Sequence, residues 1–266
     1  MRKLSSDFIF FCRKTGFPFK KIPFCRVNFW IFLPEDTSYG VHPEQGIIEI
    51  LYEDDYLLVL NKPPRQLVHP TGQTTTGTQA NFLAFHLEQQ GIVNTVRAIH
   101  RLDRETSGCV IFAKDGRSQF ILEQQLAANI LKRSYWALVK GIVNPPSGVI
   151  EAPIGPHPNL PNRRAINEQG EQALTHFQTI RTFPATAVSL LELSLETGRT
   201  HQIRVHLAHL GYPIIGDGMY GVRSPLISRQ ALHAHSVTFR HIQDDRDITV
   251  EAPLPPDFTQ ALLLCK

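Results

Sequence analysis

Apolar residues in this chain come in short bursts, and from Gly46 onward those bursts fall into regular spacings. Positions 47–51 and 56–60 are apolar and β-branched runs around the acidic turn Glu53-Asp54-Asp55, a pattern that predicts two strands. Asn61-Lys62-Pro63-Pro64 stops the second, because proline cannot donate to a strand ladder. Thr78 is placed to cap a helix over 79–90, with Phe82, Leu83 and His86 or Leu87 at helical spacing and Gly91 ending it. A strand at 110–113 and an amphipathic helix at 118–131, through Ile121, Leu122, Leu126 and Ile130, follow. Then comes an alternating, half-buried strand at 134–139. Residues 144–172 are rich in proline, asparagine and glycine and read mostly as surface loop. Strands are expected at 173–180, 187–195, 235–240 and 248–252. Between them Thr200 caps a helix carrying Ile203, Leu207 and Leu210, closed by Gly211, and Pro253, Pro255 and Pro256 end the sheet.

The stretch before residue 46 differs. Its apolar bursts alternate with basic pairs, and none approaches the about 20 residues of a membrane-spanning helix or the apolar core of a signal peptide. Residues 1–46 are expected to form a basic, aromatic extension, poorly ordered or encoded by an upstream-extended reading frame, with an RNA-contacting arm as the competing reading. Residues 47–266 then form the main domain. The first 30 positions hold seven Lys and Arg against Asp7, so the other 236 hold 20 basic and 23 acidic residues. A polyanion must therefore be met by a local patch on the body, whose total charge attracts none. Cys12, Cys25, Cys109 and Cys265 are scattered without CxxC spacing, which argues against a disulfide framework or structural zinc and fits a reducing compartment.

Candidate chemistry concentrates in two stretches. HRLDRETSG, His100 to Gly108, sets Asp103 between Arg101 and Arg104, where neighbouring positive charge favours the anion; a surface ion-pair loop is the plain alternative. ETGRTHQIRVHLAHLGYPIIGDGMYG, Glu196 to Gly221, holds His201, His206 and His209, but only one pair shares a helical face and HExxH is absent, so no metal is expected. Gly72, Gly77 and the threonines between them lack the Gly-Lys-Ser/Thr ending of a phosphate loop. Ser107 has Glu105 where a hydrolase elbow needs glycine. A glycosidase would need a second carboxyl near Asp103, for which only Glu196 and Asp217 offer themselves.

Taken together, HRLDRETSG with VIFAK (Val110 to Lys114) resembles the central motif of the RluA-type RNA pseudouridine synthases. The resemblance extends to LLVLNKPP (Leu57 to Pro64), His69-Pro70, YWALVKG (Tyr135 to Gly141), TGRTHQIRVHLAHLGYPIIGDGMYG (Thr197 to Gly221) and the ending ALHAH with EAPLPPDF (Ala231 to Phe258). It is collinear over roughly residues 47–258.

That resemblance implies an α+β fold built on a curved, mainly antiparallel sheet with flanking helices and an RNA cleft across it. It implies an isomerase acting on uridines of ribosomal or transfer RNA, without cofactor or metal. Asp103 corresponds to the catalytic aspartate, Tyr135 to the active-site tyrosine, and Arg204 to the arginine that pairs with the aspartate. Arg101 matches a residue that fills the space left by a flipped nucleotide. Arg104, Lys62, His69, Arg163, Arg164, Arg199 and His201 are expected RNA contacts. The small separate RNA-binding domain that many relatives carry has no match in residues 1–46, so a cytoplasmic monomer of the single-domain kind is expected, with RNA as partner and no membrane. The competing functions are an RNA-binding or folding factor without catalysis and a uridine-directed N-glycosidase.

Overall fold

A computed structural model describes residues 38–266 and, ahead of them, the backbone of one antiparallel pair, β1 (Phe19–Pro23) and β2 (Trp30–Pro34). The rest of the expected basic extension, up to residue 37, lies outside the described residues.

The frame is a ten-stranded sheet. Its path runs β3 (Ile50–Glu53), β4 (Leu57–Lys62), β6 (Ser107–Ala113), β13 (Leu232–Arg240), β7 (Lys132–Lys140), β12 (Val188–Leu195), β11 (Leu174–Phe183) and β8 (Ser147–Glu151). β5 (Arg97–Ala98) pairs with β6, and β14 (Asp247–Glu251) with β13. β9 (Ile154–Pro156) and β10 (Arg164–Ile166) form a small antiparallel pair of their own. Four α-helices, α1 (Gln79–Gln89), α2 (Gly116–Ala127), α3 (Gln202–His209) and α4 (Pro256–Leu264), and a 3-10 turn at Pro184–Thr186 complete the described elements, so the fold is α+β with a mainly antiparallel sheet. No helix among the described residues is long and apolar enough to cross a membrane.

The register has one exception to antiparallel pairing. β6 and β13 run parallel through His233 with Ser107 and Ala234 with Gly108. At Gly108 the backbone has φ +110°, and a β-carbon there would stand 2.1 Å from the Ala234 carbonyl oxygen. Only glycine permits that approach, which explains the residue closing HRLDRETSG.

Leu57, Leu58, Val59 and Leu60 are all buried although their side chains alternate between faces, because both faces of β4 are covered. Leu58 and Leu60 join the α1 residues Leu83 and Leu87 in the larger core, while Leu57 and Val59 pack with Leu122 of α2 in the second. Each such side chain contributes about 1.5–3 kcal/mol by leaving water. On β12 exposure alternates toward its end, and its apolar residues face one core only.

Several boundaries depart from the pattern. β4 continues through Lys62 and ends at Pro63, and β3 starts at Ile50. α2 starts two residues earlier than expected because the Asp115 side chain accepts from the Ser118 N–H, and it ends at Ala127. Residues 144–172 contain β8, β9 and β10, whose partners come from β11 and from each other; no local pattern reports such pairing. Thr200 does not cap α3: the cap is His201, in the left-handed region at φ 60° with no side-chain cap bond. The closing prolines do end the sheet, but Pro256 then opens α4, at a first-turn position where a helix needs no N–H.

Candidate active site

Three segments converge over the parallel seam. The loop between β5 and β6 carries Asp103, held in a turn by the Thr106 N–H donating to the Asp103 carbonyl, 3.1 Å. β7 brings Tyr135 on the face opposite Trp136, and α3 brings Arg204. Asp103, Tyr135 and Arg204 line a recess of about 60 Å³ whose apolar walls include Leu195, Ile203 and Leu232. The recess opens into a cleft of about 890 Å³ lined also by His69, Arg101, Arg104, Arg199 and His201.

Arg204 is the centre of the charge arrangement. Its Nη1 donates to Asp103 Oδ2 at 2.8 Å, while Nε and Nη2 donate to Asp217 Oδ2 and Oδ1 at 2.7 and 3.0 Å. Asp217 is fully buried, and its Oδ1 also accepts from the Met219 and Tyr220 N–H groups. Burial works to raise the Asp217 pKa, but the Arg204 hydrogen bonds and charge with the two backbone donors outweigh it and hold the carboxyl below its ordinary value. Burial likewise works to lower Arg204, and Asp217 followed by Asp103 reverses it. The guanidinium is thus fixed on one edge by a buried carboxylate and presents the other to Asp103, whose side chain is 25% exposed toward the cleft.

The other Asp103 oxygen faces His201, with Nε2 at 3.9 Å from Oδ1. Tyr220 Oη accepts from the Arg164 backbone N–H at 2.7 Å, which leaves its own proton to donate to His201 Nδ1 at 2.8 Å. Assigned from that network, the imidazole proton sits on Nε2 and points at Asp103. Burial lowers the His201 pKa, against the pull of Asp103. The left-handed backbone at His201 turns the ring into this position. Tyr220 also stacks under Arg204, 4.9 Å from its guanidinium carbon to the ring centre.

The expected RNA contacts divide. His69, Arg101, Arg104, Arg199 and His201 lie together in the cleft, with Arg101 and Arg104 exposed. Arg163 and Arg164 lie at the β9–β10 hairpin, outside the cleft lining, where Arg164 contributes its backbone N–H to Tyr220. Arg199 donates to the Gln172 carbonyl at 3.1 Å and pairs with Glu171. Lys62 is corrected outright: it is 0% exposed, and its ammonium donates to the carbonyls of Pro63, Gln66 and Arg104 at 2.8, 2.8 and 3.1 Å. Burial, joined by the Arg229 charge, pulls its pKa down to about 7 against the opposing charges of Glu105 and Asp103. It ties the loop after β4 to the Asp103 loop and has no surface to offer a phosphate.

The rejected chemistries also have a structural account. Ser107 is buried, with Oγ 3.0 Å from His233 Nδ1. His206 is consumed by Thr175 Oγ1 and the Ala152 carbonyl. Asp217, considered as a second carboxyl for Asp103, is engaged in full behind Arg204. Asp217 and Tyr220 are site residues that spacing did not reveal; their one signal is their presence in GDGMYG, inside the second chemistry-bearing stretch.

The profile of the RNA pseudouridylate synthase family matches residues 56–209. YhcT, an uncharacterized RNA pseudouridine synthase of Bacillus subtilis (strain 168), is 45% identical over 228 residues, covering 86% of this chain and 76% of that one. Ribosomal large subunit pseudouridine synthase D of Nitrosomonas europaea is 41% identical over 231 residues, covering 83% of this chain and 66% of that one. Among solved structures, human RNA Pseudouridylate Synthase Domain Containing 1 superimposes with a TM-score of 0.65 at 25% identity, over 82% of this chain and 90% of that one.

Proposed function

The chain belongs to the RNA pseudouridine synthase family, and from that premise we propose that it isomerises a specific uridine of ribosomal RNA with Asp103 as nucleophile. The family activity is an isomerisation: the bond from uracil N1 to ribose C1′ breaks, a bond from C5 to C1′ forms, C5 gives up a proton and N1 gains one. The observation that carries the reading is Asp103 held at 2.8 Å by an arginine whose other edge is locked to a buried carboxylate, with Tyr135 in the same recess.

In this reading Asp103 attacks either the sugar or the uracil ring as a carboxylate. Arg204 orients it, and the locked edge keeps the guanidinium from swinging out when substrate enters. His201 presents its Nε2–H toward the second carboxylate oxygen, where a ribose hydroxyl or a uracil carbonyl of the substrate would compete for it. Tyr135 stands beside the base and relays the C5 proton, its hydroxyl giving up its own proton toward N1 or solvent as its oxygen accepts the one from C5. The apolar walls of Leu195, Ile203 and Leu232 accept a flat base and exclude water. A base within a duplex cannot turn, so the uridine is flipped out or lies in a loop, at a cost of a few kcal/mol. Arg101, exposed at the cleft, is placed to fill the vacated space, with His69, Arg104 and Arg199 along the RNA path.

Ribosomal RNA is favoured over transfer RNA because several similar proteins act, by name, on the large ribosomal subunit. Residues 47–266 are taken as the catalytic domain, acting as a monomer in the cytoplasm, since one chain supplies the whole recess. Asp103→Asn tests the reading: it should bind RNA as the parent does and form no pseudouridine. Mapping pseudouridines in cells lacking the protein identifies the substrate; if every site persists, the ribosomal assignment fails. Release of free uracil by the parent protein would instead establish a glycosidase.

A further inference from the structure

Arg133, two residues before Tyr135 on the same face of β7, is a cation without a counter-ion. It is 6% exposed, yet no carboxylate among the described residues lies within ion-pair distance of it. Its Nε has no hydrogen-bond partner, and the sole bond of its guanidinium to the backbone is a long one, Nη2 to the Thr197 carbonyl at 3.4 Å. A buried guanidinium left in this state is destabilising unless something anionic completes it. The neighbouring His100 is in a similar state. It is buried, its Nε2 accepts from the Ile111 N–H, and its Nδ1, which must then carry the proton, donates to nothing.

Both residues line the 890 Å³ cleft. Gly198, also in the lining, leaves the guanidinium uncovered: a β-carbon there would come within 3.3 Å of Nη1. The missing partner is therefore negatively charged, accepts hydrogen bonds and arrives through the cleft. A phosphodiester has that chemistry, and arginine meets it through two N–H groups at once.

We propose that Arg133 is an anchoring site for a phosphodiester oxygen of the RNA, next to the nucleotide whose base enters the Tyr135 recess. The inference rests on the RNA isomerase reading and names a contact that the motifs around Asp103 and Arg204 do not supply. The guanidinium is also close enough to Tyr135 to oppose the rise that burial imposes on the phenol pKa, so seating the phosphate and setting the tyrosine are done by one group.

The test uses the full chain and an oligocytidylate carrying a single uridine, which fixes the register. Binding is measured across a salt series for the parent, Arg133→Gln and Arg133→Lys. Arg133→Gln should bind about tenfold more weakly, with the salt slope shallower by about one, and Arg133→Lys should restore the slope. A second arm needs no variant: replacing successive linkages by uncharged methylphosphonates should weaken parent binding most at one linkage beside the uridine. An unchanged slope in Arg133→Gln, or no linkage standing out, overturns the proposal and leaves Arg133 a positioning residue for Tyr135. If the parent forms no pseudouridine in ribosomal RNA although the slopes differ as stated, the isomerase reading fails and the phosphate site stands.

Discussion

Asp217 grips Arg204 along its Nε and Nη2 edge at 2.7 and 3.0 Å, so the arginine reaches Asp103 with its remaining nitrogen already aimed. Asp217 does not itself line the recess, yet the aim depends on it. Asp217→Asn should lower kcat about a hundredfold while RNA affinity stays near the parent's, since a small loss of aim at a reacting group is costly. It should also destabilise the fold by about 3 kcal/mol, because a buried guanidinium loses half its compensation. Single-turnover kinetics and denaturant titration separate the two effects. Arg204→Lys keeps the charge but cannot span both carboxylates, and is expected to fail similarly.

Gly108 is tested by one methyl group. A β-carbon 2.1 Å from the Ala234 carbonyl, on a backbone at φ +110°, cannot be accommodated without parting β6 from β13. Gly108→Ala should destabilise by about 3 kcal/mol or more and abolish activity, with Ala234→Gly offering no rescue, since the clash is with backbone. Thermal unfolding of the variant at neutral pH decides it.

Lys62→Met keeps the apolar stem and removes the ammonium. Three carbonyls lose their donor, so stability should drop by about 2–4 kcal/mol. The salt slope of RNA binding should not move, because the ammonium is buried behind the loop it ties. A slope shallower by about one would return Lys62 to the RNA-contacting set.

Acid stability follows from two histidines. Burial pulls His100 down to about 3 and His233 to about 4, both from 6.5. Between those values the unfolded chain takes up protons that the folded one refuses, so stability falls as pH drops below about 6.5 and goes on falling toward about 4. The two together are worth on the order of a few kcal/mol at the acid end. The unfolding midpoint should decline from pH 6.5 to 5, above the range where Asp217 and Asp257 begin to protonate, and His233→Gln should flatten that decline.

What was legible in the sequence was what is local or carried by motif. The run at Leu57 to Leu60 announced a strand because two cores need it apolar on both faces, and Thr78 announced a helix that it does cap, with Asn81 returning the bond. The grouping of Asp103, Tyr135 and Arg204 was legible only through collinear motifs, since 32 and then 69 positions separate them. Lys62 misled because a lysine beside prolines looks solvent-facing, and its burial is decided by the Arg104 carbonyl, 42 positions away. Arg133 was silent, and Asp217 stood out only as a second carboxyl for Asp103, for the same reason: what matters about each is which partner it has or lacks in space. The β9–β10 hairpin hid in a proline-rich stretch whose strands are only three residues long.

The parallel seam divides the labour of catalysis. Asp103 leads into β6 on one side, Tyr135 stands on β7 on the other, and only two residue pairs of parallel register join β6 to β13 between them. The proposed nucleophile and the tyrosine are thus entrusted to separate antiparallel halves, neither of which holds the whole recess. Heat or denaturant that loosens the seam should silence the enzyme while both halves still keep their strands.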